Sequence, residues 1–198
     1  LEVWDFKHDK TPTVYSATPI YRSRSNKPQS GMIGVEALDH PRKNGTFLES
    51  DIPSQNMNDD QMTGSTVLAN FQVEKPTAFL VMPINFYAVA SEIDNSGAVM
   101  MWMKCSYEEW SKDVPSGNSS SESVRHSVTA VDKISFEGVE YIIIEDSWGK
   151  WVNTSAIPLQ AGQRAISKAF FDKHCYFAAC NPKFNFEGNT KPSYKWTK

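Results

Sequence analysis

Cysteine is scarce in this chain, with three among 198 residues: Cys105, Cys175 and Cys180. So small and odd a set excludes a disulfide framework, and its spacing is unlike that of a zinc site, so at least one thiol is free within the chain. Cys175 and Cys180 are either a pair or two small buried apolar residues. Long hydrophobic runs are also missing. The longest apolar stretches, such as Ala98 to Met103 and Tyr141 to Ile144, are strand-sized and fall well short of the ~18 residues of a membrane span. There is no Lys/Arg block either, and 20 basic against 23 acidic residues leave a formal net charge of -3. That balance excludes an electrostatic nucleic-acid surface. Neither nucleic acid nor membrane is therefore expected as a partner. Internal repeats are absent. So is an initial Met, and Leu1-Glu2-Val3-Trp4 reads as the middle of a helix, so the true N-terminus is expected upstream, where a signal peptide is compatible with the sequence.

What is present is enough apolar material, 40% of residues with 22% charged, to bury one sizeable core without metal or disulfide staples. One domain over residues 1–182 is expected, compatible with two lobes, followed by a polar linker or tail over 183–198. Leu1 to Lys10 reads as the last turns of a helix stopped by Thr11-Pro12. Ser16-Ala17-Thr18-Pro19 opens a short helical stretch through Tyr21 and Arg24 that Lys27-Pro28 ends. Gly31 to Asn44 reads as a second helix, bent or ended early by Pro41 and stopped at Asn44-Gly45. Glu49 to Gly64 is polar loop. Val67 to Val73 reads as a strand, Ile84 to Ile93 as a helix closed by Asn95-Ser96-Gly97, and Ala98 to Cys105 as a buried strand. Tyr107 to Trp110 is one amphipathic turn, and Ser116 to Ser123 a loop too polar to pack. Ser127 to Ser135 and Val139 to Glu145 form the strongest strand pair, a hairpin across Phe136-Glu137-Gly138. Lys168 to His174 is a short helix and Tyr176 to Cys180 a further strand.

The hairpin carries the chemistry. A thiol at its resting pKa is mostly protonated near neutrality, so a cysteine nucleophile needs an imidazole beside it to stabilise the thiolate and later to protonate the leaving amine. That imidazole needs an acceptor to fix its ring, and an indole beside the pair shields their hydrogen bond from water. His126 at the start of one strand and Asp146-Ser147-Trp148 at the end of its hairpin partner would bring imidazole, acceptor and indole to one edge of the sheet.

These residues resemble the papain-like cysteine peptidases. In that family the base lies in a His-Ala-Val-like strand, matched by His126-Ser127-Val128. The orienting residue opens an Asn-Ser-Trp-Gly motif, matched by Asp146-Ser147-Trp148-Gly149. Shorter matches run upstream in the family's order. Glu2 matches the end of the nucleophile helix, and Tyr15-Ser16 the Tyr-Ser that opens the next. Ser30-Gly31-Met32 matches the Gly-Gly segment, Ala37-Leu38 and Asn44-Gly45 the helix after it, and Ile52-Pro53 a Tyr-Pro turn. The resemblance spans Leu1 to Trp151 and implies an α+β, papain-like two-lobed fold, with a helical left lobe and an antiparallel β-rich right lobe. It implies peptide-bond hydrolysis by a Cys-His-Asp mechanism on a peptide or protein substrate, without metal or organic cofactor. His126 would act as base and acid, Asp146 would orient it and Trp148 would shield the pair. The main chain of Gly31 and Met32 would hold substrate as an added strand, although Gly31 equally suits a helix-start turn.

Two departures stand out. Asp146 replaces the usual Asn; a carboxylate still accepts from the imidazole and favours an ion pair by opposite-charge attraction. The nucleophile is absent: in this family the His follows it by about 130–150 residues, which puts the Cys before Leu1. With Glu2 ending the nucleophile helix, that Cys is expected about ten residues further upstream. Cys105 is too near His126 and lies in a core strand, while Cys175 and Cys180 follow both partners. The chain alone is then expected to be catalytically silent, with the missing N-terminal segment as a partner. Lys191-Pro192-Ser193-Tyr194-Lys195-Trp196-Thr197 resembles the segment leading into peptidoglycan-binding repeats of some bacterial and phage papain-like proteins, or is an ordinary polar tail. Asp51, Asp59 and Asp60 either favour basic substrates or line a solvated loop. The sequons at Asn44, Asn118 and Asn153 read as chance in a protein of bacterial or viral origin. The alternative function is a catalytically inactive papain-like structural or binding module of a phage particle or cell-wall-associated protein, so a virion or cell-envelope location is favoured. A transferase using the same thiol chemistry is a third reading.

Overall fold

The computed structural model describes residues 14–54, 79–148 and 154–181. The opening helix, the strand read at Val67 to Val73, Gly149 and the polar tail lie outside them. The chain divides into two compact units at Phe79/Leu80.

Among the described residues, the N-terminal unit holds α1 (Thr18–Arg22) and α2 (Gly34–Asn44). An antiparallel bridge joins Tyr15 to Leu48, with Ser16 N–H donating to the Phe47 carbonyl at 2.8 Å. Pro19 suits the first turn of α1, where an N–H would have no partner. Helix α2 starts three residues later than the Gly31 expected from sequence: Gly31 takes φ +80° and Ile33, at the N-cap, is extended. It also runs through Pro41, which had been expected to bend or end it. A proline removes only the bond to the carbonyl four residues back, and here less than a turn of helix remains beyond it. The α2 helix buries none of its residues fully. It is tied to the α1 end by Glu36, whose carboxylate accepts from the Ser25 N–H at 3.1 Å and from the Ser25 hydroxyl.

The second unit is built on a six-stranded sheet in the order β1-β6-β2-β3-β4-β5. Its strands are β1 (Leu80–Val81), β2 (Val99–Cys105), β3 (Val124–Phe136), β4 (Val139–Glu145), β5 (Gln163–Ser167) and β6 (Cys175–Cys180). All pairings are antiparallel. Three helices accompany it: α3 (Phe86–Ser96), α4 (Tyr107–Trp110) and α5 (Lys168–His174). The hairpin expected from sequence is present, but longer, because β3 begins at Val124 and the turn is only Glu137-Gly138. Two strands were missed. β1 has only two residues, and β5 contains Gln163 and Arg164, whose polar side chains broke the apolar pattern.

Strand alternation divides the core between the two faces of the sheet. Ile142, Ile144 and Ile166 join Val99, Met101, Met103, Val128 and Ala130 on one face, where Phe86, Val89 and Ile93 of α3, Trp110 of α4, and Phe170 and Phe171 of α5 cover them. Ile143 and Ala165 point the other way, against Ile157, Tyr141 and Leu159. Each helix carries its own start signal: Asn85, Ser106 and Ser167 accept from the main-chain N–H three residues on at 3.0, 3.1 and 3.2 Å. The α3 helix ends on Gly97 in the left-handed region, φ +88°.

The polar loop ahead of β3 is anchored by a buried carboxylate. Glu109 accepts from the N–H and hydroxyl of Ser116, both at 2.7 Å, and from the Gly117 N–H at 3.1 Å. Burial opposes its ionisation, yet these bonds and the Lys112 charge hold it below the usual carboxylate value. Gly117 lies at φ +75°, and a Cβ there would stand 3.3 Å from the Phe170 Cα. Gly117→Ala is therefore expected to lower stability by about 1–3 kcal/mol. Urea unfolding of the two chains measures this, and an unchanged midpoint would contradict the strain.

Candidate active site

Alternation along β3 leaves Arg125 and Ser127 exposed and turns Val124, His126, Val128 and Ala130 toward the helix-covered face. His126 is the third residue of β3 rather than its first, and its partner in register is Met103 of β2, not a residue of β4. The β3–β4 pairing begins at Thr129 opposite Glu145. Asp146, the next residue, donates its N–H to the Gly162 carbonyl at 2.9 Å, and its side chain turns back toward His126.

His126 Nε2 lies 2.9 Å from Asp146 Oδ1. The same oxygen accepts from the Trp148 N–H at 3.0 Å. The other oxygen, Oδ2, accepts from the Trp110 indole N–H at 3.0 Å and from Arg164 Nε at 2.9 Å. The side chains of Asp146 and Arg164 are fully excluded from solvent, and that of His126 nearly so. Burial alone would push the Asp146 carboxyl up. The bonds from His126, Trp148 and Arg164, with the charge of His126, outweigh burial and hold it down to about 2. An ionised carboxylate can only accept, so Nε2 is the donor in this bond. Nδ1 has no hydrogen-bond partner among the described residues. Two indoles bracket the ring: Trp148 lies tilted at 4.3 Å between centroids and Trp110 stands edge-on at 5.6 Å.

The structure thus brings together His126, Asp146 and Trp148. Gly31 and Met32 lie in the N-terminal unit, just ahead of α2. The Gly31 N–H donates to the Tyr21 hydroxyl at 3.3 Å, and its carbonyl accepts from Asn26 Nδ2 at 3.3 Å, so its main chain is already engaged. Trp110 and Arg164 were missed in the sequence. Trp110 passed as one face of an amphipathic turn. Arg164 left a trace, a lone guanidinium beside Ala165-Ile166.

All three thiols are free and buried. Burial pushes each up to about 12, and the charges of Glu109 at Cys105 and of Glu92 at Cys180 add to it. Cys105 and Cys175 share the sheet face of His126, opposite Val124 and Met103 respectively. Neither hydrogen-bonds the imidazole; the Cys175 thiol donates to the Phe177 carbonyl at 3.6 Å. No group of three or more His, Cys, Asp or Glu side chains suited to a metal ion is gathered among the described residues. No described helix is long and apolar enough to cross a membrane.

The fold is that of the papain-like cysteine proteases, α+β and two-lobed. Among solved structures, digestive procathepsin L 3 of Tenebrio molitor larval midgut matches with a TM-score of 0.68 at 16% identity, over 90% of this chain and 62% of its own. The cysteine protease and lectin-like domains of Cwp84, a surface layer associated protein of Clostridium difficile, match with a TM-score of 0.72 at 16% identity, over 92% of this chain and 44% of theirs. The bromelain protease of Ananas comosus matches with a TM-score of 0.68 at 12% identity, over 90% and 81%. The chain therefore spans less than two thirds of the procathepsin and of the Cwp84 structure. No protein-family model and no curated protein sequence matches it.

Two outcomes follow from the ionisation states. Asp146 is held below its unfolded value of 3.8, so its stabilising contribution is complete above that value and is lost as pH falls from about 4 toward 2. Asp146→Asn should be less stable than the parent at pH 7, with the difference shrinking by about 2 kcal/mol by pH 2. Urea midpoints across that range test this, and a constant difference would refute it. At pH 8 the native chain should take up no iodoacetamide while the urea-unfolded chain takes up three equivalents, one per thiol; rapid native labelling would contradict the burial.

Proposed function

We propose that this chain is the larger part of a papain-like cysteine peptidase domain, with the nucleophilic Cys supplied by a segment outside the 198 residues. The observation that carries this reading is the His126–Asp146 bond at 2.9 Å through Nε2, which leaves Nδ1 as the basic nitrogen of a fixed ring. The support is twofold: the fold is shared with cysteine proteases, and the three thiols present are too buried and too weakly acidic for the task.

In this mechanism Nδ1 of His126 takes the proton of the incoming thiol, and the resulting thiolate attacks the peptide carbonyl. The imidazolium returns its proton to the departing amine, leaving an acyl-thioester. Water, deprotonated by the same Nδ1, then attacks the thioester and restores the thiol. Asp146 holds the ring in place through the Nε2–H bond. Trp148 covers the Nε2–H bond to the carboxylate, so that water does not compete for it. The main chain of Met32, which makes no hydrogen bond among the described residues, is the better candidate of the pair with Gly31 to align an extended substrate. One structural neighbour is described as surface layer associated, which supports a cell-envelope setting for this chain over a cytoplasmic one.

The test is to express the chain with about thirty upstream residues from its gene and to assay thiol-dependent peptide hydrolysis. His126→Ala should lower kcat/KM by at least about a hundredfold. Unchanged activity in that variant would remove His126 from the chemistry. Ser, Ala or Gly at the upstream Cys position, with no hydrolysis, would favour the inactive structural or binding module.

A further inference from the structure

We infer that Arg164 is a positioning residue, the counter-charge that lets an aspartate orient His126. This rests on the peptidase reading above. The Asp146 carboxylate is shared by function: Oδ1 faces His126 and the Trp148 N–H, and Oδ2 faces the Trp110 indole and Arg164 Nε. Arg164 is the cation on Oδ2, and its own placement is fixed from several sides. It lies on β5 opposite Ile144, with its side chain fully buried. Its Nη1 donates to the Lys112 carbonyl at 2.7 Å, and its guanidinium carbon lies 5.3 Å from the centre of the Trp110 ring.

The elements packed around the carboxylate supply few other charges. From α4 comes Glu109, which spends its acceptors on Ser116 and Gly117 and stands 3.6 Å from Lys112. From β3 comes His126 itself. A buried carboxylate 2.9 Å from an imidazole, with no cation of its own, favours a proton on that ring by opposite-charge attraction. A ring already protonated at Nδ1 cannot take the proton of a thiol. With Arg164 on the far oxygen, the Asp146–Arg164 unit is net neutral, as an asparagine amide would be. His126 then keeps Nε2–H aimed at Oδ1 and Nδ1 free to exchange its proton during the reaction. Asp146 and Arg164 are therefore one paired feature, and loss of either alone should be felt at His126.

The experiment follows the ring signals of His126 by NMR as a function of pH in the 198-residue chain and in Arg164→Met, Arg164→Lys, Asp146→Asn and the Asp146→Asn/Arg164→Met double variant. Arg164→Met should make the ring bind its proton at least about tenfold more tightly, Arg164→Lys should stay near the parent, and the double variant should reverse most of the change. An unchanged titration in Arg164→Met, with only a lower melting temperature, would overturn the inference and leave Arg164 a packing residue. Should Arg164→Met fail to fold, the double variant decides: it must be folded and more stable than Asp146→Asn, and a double variant no better than that single one would also overturn it. These readouts need no nucleophile. A shifted titration without hydrolysis in the extended chain would thus sink the peptidase reading alone, and hydrolysis with an unshifted titration would sink this inference alone.

Discussion

A carboxylate sealed from water must find enough donors to replace its hydration shell, and Asp146 finds them in four groups from separate parts of the chain. This one requirement binds α4, β3, β5 and the end of β4 to a common point. Each donor is fixed by something other than the carboxylate. Trp110 is buried in the core and sits on a helix capped by Ser106; Arg164 is held by the Lys112 carbonyl; His126 is held by the alternation of a long strand. The carboxylate therefore joins groups that are already placed, which is why it stays ionised in a buried setting.

The neighbourhood repeats the solution with a second acid. Glu109, on the same short helix as Trp110, takes three donors from Ser116 and Gly117 and so gives structure to a loop with no apolar residues to pack. Two buried carboxylates, linked through Trp110, which follows Glu109 in the chain and donates to Asp146, thus have separate duties. One shapes the approach to β3, and the other orients the imidazole that β3 carries. They do not compete, because their donors come from different segments.

The likeness to papain-fold proteases was legible because its evidence is local in sequence: a strand bearing His126, a hairpin, and Asp146-Ser147-Trp148 at the end of the return strand. Strand periodicity and a two-residue turn are enough to put those groups at one edge. The helix limits were less legible. The start of α2 lies after Gly31 at positive φ and an extended Ile33 with no side-chain cap, a backbone choice the residues permit but do not announce. Pro41 inside a helix goes against a sound local preference, and it is tolerated because so little helix follows. Strand β5 was hidden by Gln163 and Arg164, since a buried polar residue looks like a surface one until its partner is known.

Fold class, the scarcity of thiols and the pairing of an imidazole with a carboxylate were legible in the residues, because alternation, turn chemistry and composition act over a few neighbours. Packing in three dimensions brings Nε2 rather than Nδ1 to the carboxylate, completes the carboxylate's shell with Trp110 and Arg164, and buries the three thiols so that each is pushed up to about 12. These depend on groups 18 to 36 residues away in sequence being brought within 3 Å of one oxygen. Desolvation, which sets the ionisation of each group, exists only once the sheet and its helices have closed over them.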